Sequence, residues 1–242
     1  MRRESYRERA LVVRSYDFGE ADRIIVLFTR GRGIVRGVAK GVRRAKSRFG
    51  SRLQPFVELD VQLYRGRNLE SITAADTVAY FGAKIIDDVT RFSAASSILE
   101  GVEKLAVGDE PRLFDLTVTA LKNMQSCAHP VAEVDTFLLQ GMNIAGWAPS
   151  LFDCAQCGAS GPHHAFHPSP GGAVCVHCRP LGAQEVDPDT LHMMWLMAQG
   201  HRDAVAEIGT PERYQQAHAL IRSHLSWHVE RGLASLNVLD QV

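Results

Sequence analysis

Two cysteine pairs carry the clearest chemistry in this chain. Cys154-Ala155-Gln156-Cys157 and Cys175-Val176-His177-Cys178 are separated by 17 residues. A C-x-x-C pair closes a tight knuckle with both sulfurs on one side. Two knuckles joined by such a loop can set four thiolates at the corners of a tetrahedron, ~2.3 Å from a Zn²⁺ ion. Gly158, Gly161, Gly171 and Gly172 supply the turns. Four thiolates leave no open coordination position for water or substrate, so the pattern predicts one structural Zn²⁺ per chain. Segment 150–180 has few large apolar residues (Leu151, Phe152, Phe166), and a metal there would stand in for a core. His163, His164, His167 and His177 are substitute ligands on paper but read first as solvated loop histidines. Cys127, the fifth cysteine, reads as a small buried apolar side chain on a helix.

A second constellation is electrostatic. Formal net charge is zero, yet residues 1–72 carry 17 Lys/Arg against 8 Asp/Glu and the remainder 10 against 19. Within the first part, Arg30, Arg32, Arg36, Lys40, Arg43, Arg44, Lys46, Arg48 and Arg52 follow one another with no acid between. A small basic domain on an acidic body points to a polyanion partner. Lys and Arg pair with phosphates, and Ser47 and Ser51 add neutral hydrogen bonds. Aromatic rings can offer stacking faces to unpaired bases. Tyr16, Phe18 and Tyr64 read first as core. Phe49, between Arg48 and Gly50 in a polar stretch, reads as the face offered to a base. The bland alternative is a solvated basic loop.

Other chemistry is missing its signatures. Gly31-Arg32-Gly33-Ile34-Val35-Arg36-Gly37 is not a dinucleotide loop, and no Walker A, H-E-x-x-H or G-x-S-x-G motif occurs. His228-Val229-Glu230 resembles a deaminase H-x-E only superficially, because it follows the cysteines. Asp87-Asp88 read as helix neighbours whose side chains diverge by ~100°. The chain is expected not to be an enzyme.

These residues need a scaffold. Ala10–Tyr16, Arg23–Thr29, Gly33–Lys40, Phe56–Tyr64 and Leu69–Ala75 read as short strands, with Val57, Leu59, Val61 and Leu63 sharing one face. Five strands in so short a span suit a small barrel of OB type, with an SH3-like barrel as the rival. From about Thr77 the pattern turns helical: Ala95–Ala106, then helices opened by Pro111, Pro130 and Pro188, and a last one over Pro211–Arg231. Met193, Met194, Trp195 and Met197 form a soft apolar cluster, read as helix core before docking site. The expected architecture is α+β and multidomain. A basic OB-type domain spans 1–79 and a helical domain 80–242, with 150–181 as the zinc-binding insert. No apolar run suits a membrane span, and Leu11-Val12-Val13 is too short for a signal-peptide core. A cytoplasmic protein is expected, whose cysteines serve a metal rather than disulfides.

The segment Ala39-Lys40-Gly41-Val42-Arg43-Arg44-Ala45-Lys46-Ser47-Arg48-Phe49, followed by Leu53-Gln54-Pro55-Phe56, resembles the signature of the bacterial RecO recombination-mediator family. The opening from Leu11 to Ile24 is similar to that family's first hairpin. Weaker echoes are Phe137-Leu138-Leu139, Gly146-Trp147, the cysteine quartet and Ala234-Ser235-Leu236. Ala45 stands where the family signature has proline before lysine. The resemblance implies an N-terminal OB-fold, a C-terminal helical domain and a zinc module, the last marking the metal-bearing branch. It implies binding of single- and double-stranded DNA, annealing of complementary strands, and partnership with RecR and single-stranded-DNA-binding protein in loading RecA. It places the protein in the cytoplasm at the nucleoid. The alternatives are a zinc-containing RNA-binding module, a metal-dependent enzyme, or a scaffold whose basic face docks an acidic protein tail.

Overall fold

The computed structural model describes residues 4–229 and 232–241. The chain forms two compact units, the first running to Cys127 and the second from Ala128 to Gln241.

The first unit is built on five strands: β1 (Ser5–Phe18), β2 (Asp22–Thr29), β3 (Gly33–Ala39), β4 (Val57–Tyr64) and β5 (Glu70–Tyr80). They close a barrel in the order β1-β2-β3-β5-β4, with β1 also paired to β4. All pairs are antiparallel except β3 with β5. This is the OB arrangement, and closure removes every free sheet edge. The core is apolar: Ala10, Val12, Ile25, Leu27, Val57, Leu59, Val61, Leu63 and Ile72 point inward. The expected face of β4 is therefore the face that is buried.

One irregularity in β1 matters for the surface. Val12 pairs with Leu27 but Arg14 with Val26, so the register slips by one residue at Val13. Such a bulge transfers every later side chain to the opposite face. Ala10 and Val12 face the core; Tyr16, opposite Ile24, and Phe18, opposite Asp22, face outward.

A short 3-10 turn (Gly82–Lys84) leads to α1 (Val89–Leu105) and α2 (Pro111–Met124), which belong to the same unit as the barrel. Phe114 meets Phe28 on the outer face of β2, ring centroids 5.5 Å apart. Phe92 sets its edge on Phe56, and Glu103 accepts from Arg14 at 2.9 Å. The sequence break near 79/80 marks the change from strand to helix, whereas packing groups these two helices with the barrel. Asp88 is not inside a helix: it caps α1, its carboxylate accepting from Arg91 N–H at 2.9 Å. Cys127 lies past the end of α2, half-buried rather than in the core, its sulfur near Met124.

The second unit packs α3 (Pro130–Ile144), α4 (Pro188–Gln199), α5 (Arg202–Ile208), α6 (Pro211–His228) and α7 (Ala234–Leu239). Proline opens four of the long helices at the first turn, where its missing N–H costs nothing. Glu230 and Arg231, at the expected end of α6, lie outside the described residues. Met193, Met194 and Met197 are buried on α4, so that cluster is core. Trp195 alone is half-exposed, against Phe152, His192 and His201. Between α3 and α4 sits a small sheet ordered β7-β6-β8: β6 (Ala165–His167), β7 (Gly172–Val174) and β8 (Gln184–Glu185). It runs past the expected boundary at 181, because β8 pairs with β6 and Val186 N–H reaches His164 C=O at 3.0 Å.

Candidate nucleic-acid interface and metal centre

The chain from Lys40 to Phe56 joins β3 to β4 across one mouth of the barrel. It is a string of turns: Arg44 N–H donates to Gly41 C=O, Ser47 to Arg44, Gly50 to Ser47 and Arg52 to Phe49, at 2.9–3.3 Å. Gly41, at φ 67°, adopts the left-handed conformation and donates its N–H to Asp22 at 2.8 Å. Arg43 N–H reaches Ala21 C=O at 3.0 Å, tying the loop to the β1–β2 hairpin. Phe49 and Leu53 drop into the barrel core, with Val42 against them. Phe56 exits at φ 66°, a conformation costly for an aromatic residue, held by burial and by Phe81 N–H on its carbonyl at 3.0 Å. The loop's backbone is thus over-determined.

Phe49 overturns an expectation. It is 1% exposed and offers no face to a base. In a polar stretch it is the loop's anchor, and Arg48 lays its guanidinium 4.9 Å from the ring centroid. Tyr16 and Phe18, read first as core, are instead 41% and 47% exposed.

The nine cations are all exposed but not alike. Arg30 and Arg32 sit in the β2–β3 turn, at the opposite end of β3 from the loop. Arg30 is bound by both oxygens of Asp115 at 2.8 and 3.0 Å, and the guanidinium holds the Asp115 carboxyl below the usual carboxylate range. Arg32 pairs with Glu8 at 3.3 Å and covers the Tyr6 ring. Arg43 pairs with Asp17 at 3.3 Å. Arg52 donates to the carbonyls of Ala75 and Arg48. Among the described residues no carboxylate pairs with Arg36, Lys40, Arg44, Lys46, Arg48 or Arg52. Five of these six lie on the mouth loop and Arg36 on β3. That density of unneutralised charge on a fixed backbone suits a phosphate chain.

In the second unit the fold brings Cys154, Cys157, Cys175 and Cys178 together, their sulfurs all within 4.8 Å of one another. The first knuckle closes with Gly158 N–H on Cys154 C=O at 2.8 Å, Gly158 at φ 73°; the second closes with Cys178 N–H on Cys175 C=O at 3.2 Å. A tetrahedron with metal–sulfur bonds of ~2.3 Å has edges of ~3.8 Å. Cys157 Sγ and Cys175 Sγ stand 3.8 Å apart. Burial acts to raise the Cys154 thiol, but backbone N–H groups of Cys175, Cys157 and Gln156 outweigh it and bring it down to about 6. Cys178, hydrogen-bonded to Cys157 and Cys175, is pushed up to about 12. The donor set, soft and closed, fits a tetrahedral metal ion. The histidines stand outside it: His163 is buried with Nε2 on Ala159 C=O at 2.9 Å, and His167 Nδ1 accepts from Ser169 N–H.

A closed OB-type barrel with a cationic mouth, followed by a helical unit holding four clustered cysteines, defines an OB-barrel protein whose cysteines are placed to hold a metal ion. The family model described as Recombination protein O N terminal matches residues 1–81, and that described as Recombination protein O C terminal matches residues 86–237. The chain belongs to the recombination protein O family, and its role lies in DNA repair and recombination. No helix among the described residues is long and apolar enough to cross a membrane.

Proposed function

We propose that this chain is a recombination mediator that binds single- and double-stranded DNA through the basic mouth of its barrel and anneals complementary strands. In this reading it works with RecR and single-stranded-DNA-binding protein to load RecA, in the cytoplasm at the nucleoid. The observation that carries it is the set of exposed cations without carboxylate partners on a loop pinned by Phe49 and Leu53. Lys40, Arg44, Lys46 and Arg48, with Arg36 beside them, neutralise phosphates on two strands at once. Lower repulsion then lets complementary bases meet. The protein makes and breaks no covalent bond. Binding is insensitive to sequence, since the loop contacts phosphates rather than base edges.

The metal in this reading is one structural Zn²⁺ held by Cys154, Cys157, Cys175 and Cys178. It replaces the core that the Ala165, Val174 and Cys154 cluster is too small to supply. The excess of acids beyond residue 72 keeps DNA off the helical unit and leaves it for protein partners.

The test is annealing of two complementary strands coated with their binding protein, followed by fluorescence quenching. Wild type should anneal rapidly and Arg44→Glu/Lys46→Glu should not. Rapid annealing by both proteins would overturn the reading.

A further inference from the structure

Tyr16 and Phe18 are large aromatic side chains, 41% and 47% exposed, on the outer face of β1. Nothing in the phosphate-binding role of the mouth loop accounts for them. The strand register shows what surrounds them. Tyr16 pairs with Ile24, which pairs with Val38; Arg14 pairs with Val26, which pairs with Arg36. Directly opposed residues share a face. Ile25 and Leu27 point into the core, so these two rows lie outside. Beyond them, Phe18 pairs with Asp22, and Lys40 follows Ala39, the partner of Arg23. The outer surface at this end therefore presents an aromatic pair on β1, a half-buried Val38 beside buried Ile24, and cations at Arg36 and Lys40 on the far side.

Of the acids nearby, Asp17 is paired with cations, whereas Asp22 keeps its charge but is turned to the backbone of the mouth loop. Asp22 accepts from Gly41 N–H at 2.8 Å, and Asp17, on the opposite pleat, is shared by Arg23 and Arg43. Glu20 lies at the hairpin tip, and Glu103 is paired with Arg14. Spacing also fits. Two same-face residues on a strand are ~6.7 Å apart, about twice the ~3.4 Å step between stacked bases.

We infer that Tyr16 and Phe18 form a stacking platform for unpaired nucleobases, with Arg36 and Lys40 holding the phosphates of the same strand, and that this platform favours single strands over duplex. It rests on the nucleic-acid reading of the barrel and names the part of the ligand that reading leaves open. A duplex hides its base faces, so the rings can engage only unpaired strands. The mouth loop, reading phosphates alone, serves both.

The experiment compares wild type, Tyr16→Ala/Phe18→Ala and Tyr16→Leu/Phe18→Leu on oligo(dT), oligo(U) and a DNA duplex. A 2-aminopurine-labelled single strand gives a direct stacking signal. Both positions are exposed, and the leucine pair keeps apolar bulk without a π face. Stacking on each ring is worth ~5- to 150-fold in affinity. Both double variants should lose at least tenfold on single strands, leave duplex affinity within twofold, and abolish the 2-aminopurine quench seen with wild type. Unchanged single-strand affinity, or equal loss on duplex, would overturn the platform while leaving DNA binding standing. Failure of wild type to bind any DNA would instead overturn the nucleic-acid reading. Loss confined to oligo(U) would keep the stacking but overturn the DNA assignment.

Discussion

Arg48 and Phe49 are adjacent in sequence and opposite in environment: the guanidinium faces solvent 4.9 Å from the ring centroid, while the ring is 1% exposed in the barrel core. The buried member of the pair determines where the exposed one stands. Charge on a floppy loop loses binding energy to ordering, whereas charge on an anchored loop does not.

Phe49→Ala should therefore act on two levels. Removing a fully buried phenyl ring destabilises by about 3–5 kcal/mol. The loop loses its plug, so trypsin should cut between Arg43 and Arg52 under conditions in which wild type resists. Phe49→Leu should cost much less. Urea denaturation and limited proteolysis check both; a Phe49→Ala protein as stable and as resistant as wild type would show that the ring anchors nothing.

Salt dependence separates the cations. If Arg36, Lys40, Arg44, Lys46 and Arg48 each meet one phosphate, the log–log slope of single-strand affinity against salt should be near −3.5, at about −0.7 per contact. Arg44→Glu/Lys46→Glu should bring it toward about −2, by the same arithmetic. Arg30→Glu/Arg32→Glu should change it little, because those guanidinium groups already face Asp115 and Glu8. Fluorescence anisotropy titrations over a salt series measure this. Equal slopes for the two double variants would refute the division of the basic residues.

Cys175→Ser should remove one equivalent of metal from the purified protein and lower the thermal stability of the second unit. Oligonucleotide affinity of the barrel should stay within a few-fold of wild type. Elemental analysis with the same anisotropy assay decides it, and unchanged metal content would refute the ligand set.

His218 gives the second unit a pH dependence. Its Nδ1 lies 2.7 Å from Asp135 and its Nε2 3.0 Å from Asp240, a geometry that favours the protonated ring, although burial also pushes the Asp135 carboxyl up. Burial works to lower its pKa and Arg222 adds to that, but the hydrogen bond and charge of Asp135 prevail and raise it above the usual histidine value. A raised folded-state pKa means the folded chain binds the proton more tightly. The stabilisation is then complete below the unfolded value of ~6.5 and is lost as pH rises through the higher folded value. His224 acts in the opposite sense: burial lowers its pKa against the hydrogen bond to Trp147 C=O, which works to raise it. The difference between wild type and His218→Gln isolates the effect. Melting temperatures of the pair should converge as pH rises from 6 to 9, and a gap that is constant or widens would contradict the bridge.

Much of this architecture was legible because it is local. The alternation Val57, Leu59, Val61, Leu63 marks a strand with one buried face whatever surrounds it. Helix-opening prolines mark their turns by backbone chemistry alone. The cysteine spacing marks the four-cysteine cluster, because two such knuckles joined by a loop bring their sulfurs together. The short α5 (Arg202–Ile208) escaped, having one buried apolar residue, Val205, and no periodic face.

Two things were settled only in three dimensions. One is which aromatic rings meet water. Strict alternation along β1 would put Tyr16 and Phe18 on the face of Ala10 and Val12, inside the barrel. The bulge at Val13, a property of the β1–β2 pairing, turns them outward. The other is which cations are free. Arg30 reads like its neighbours, yet its partner Asp115 lies 85 residues away and is brought to it by the packing of α2 on the barrel. The sequence by itself determined the barrel, the helices, the cysteine centre and the sign of the charged surface. Accessibility and pairing depend on residues far apart in the chain, so the fold alone decided which side chains of that surface are left to meet a ligand.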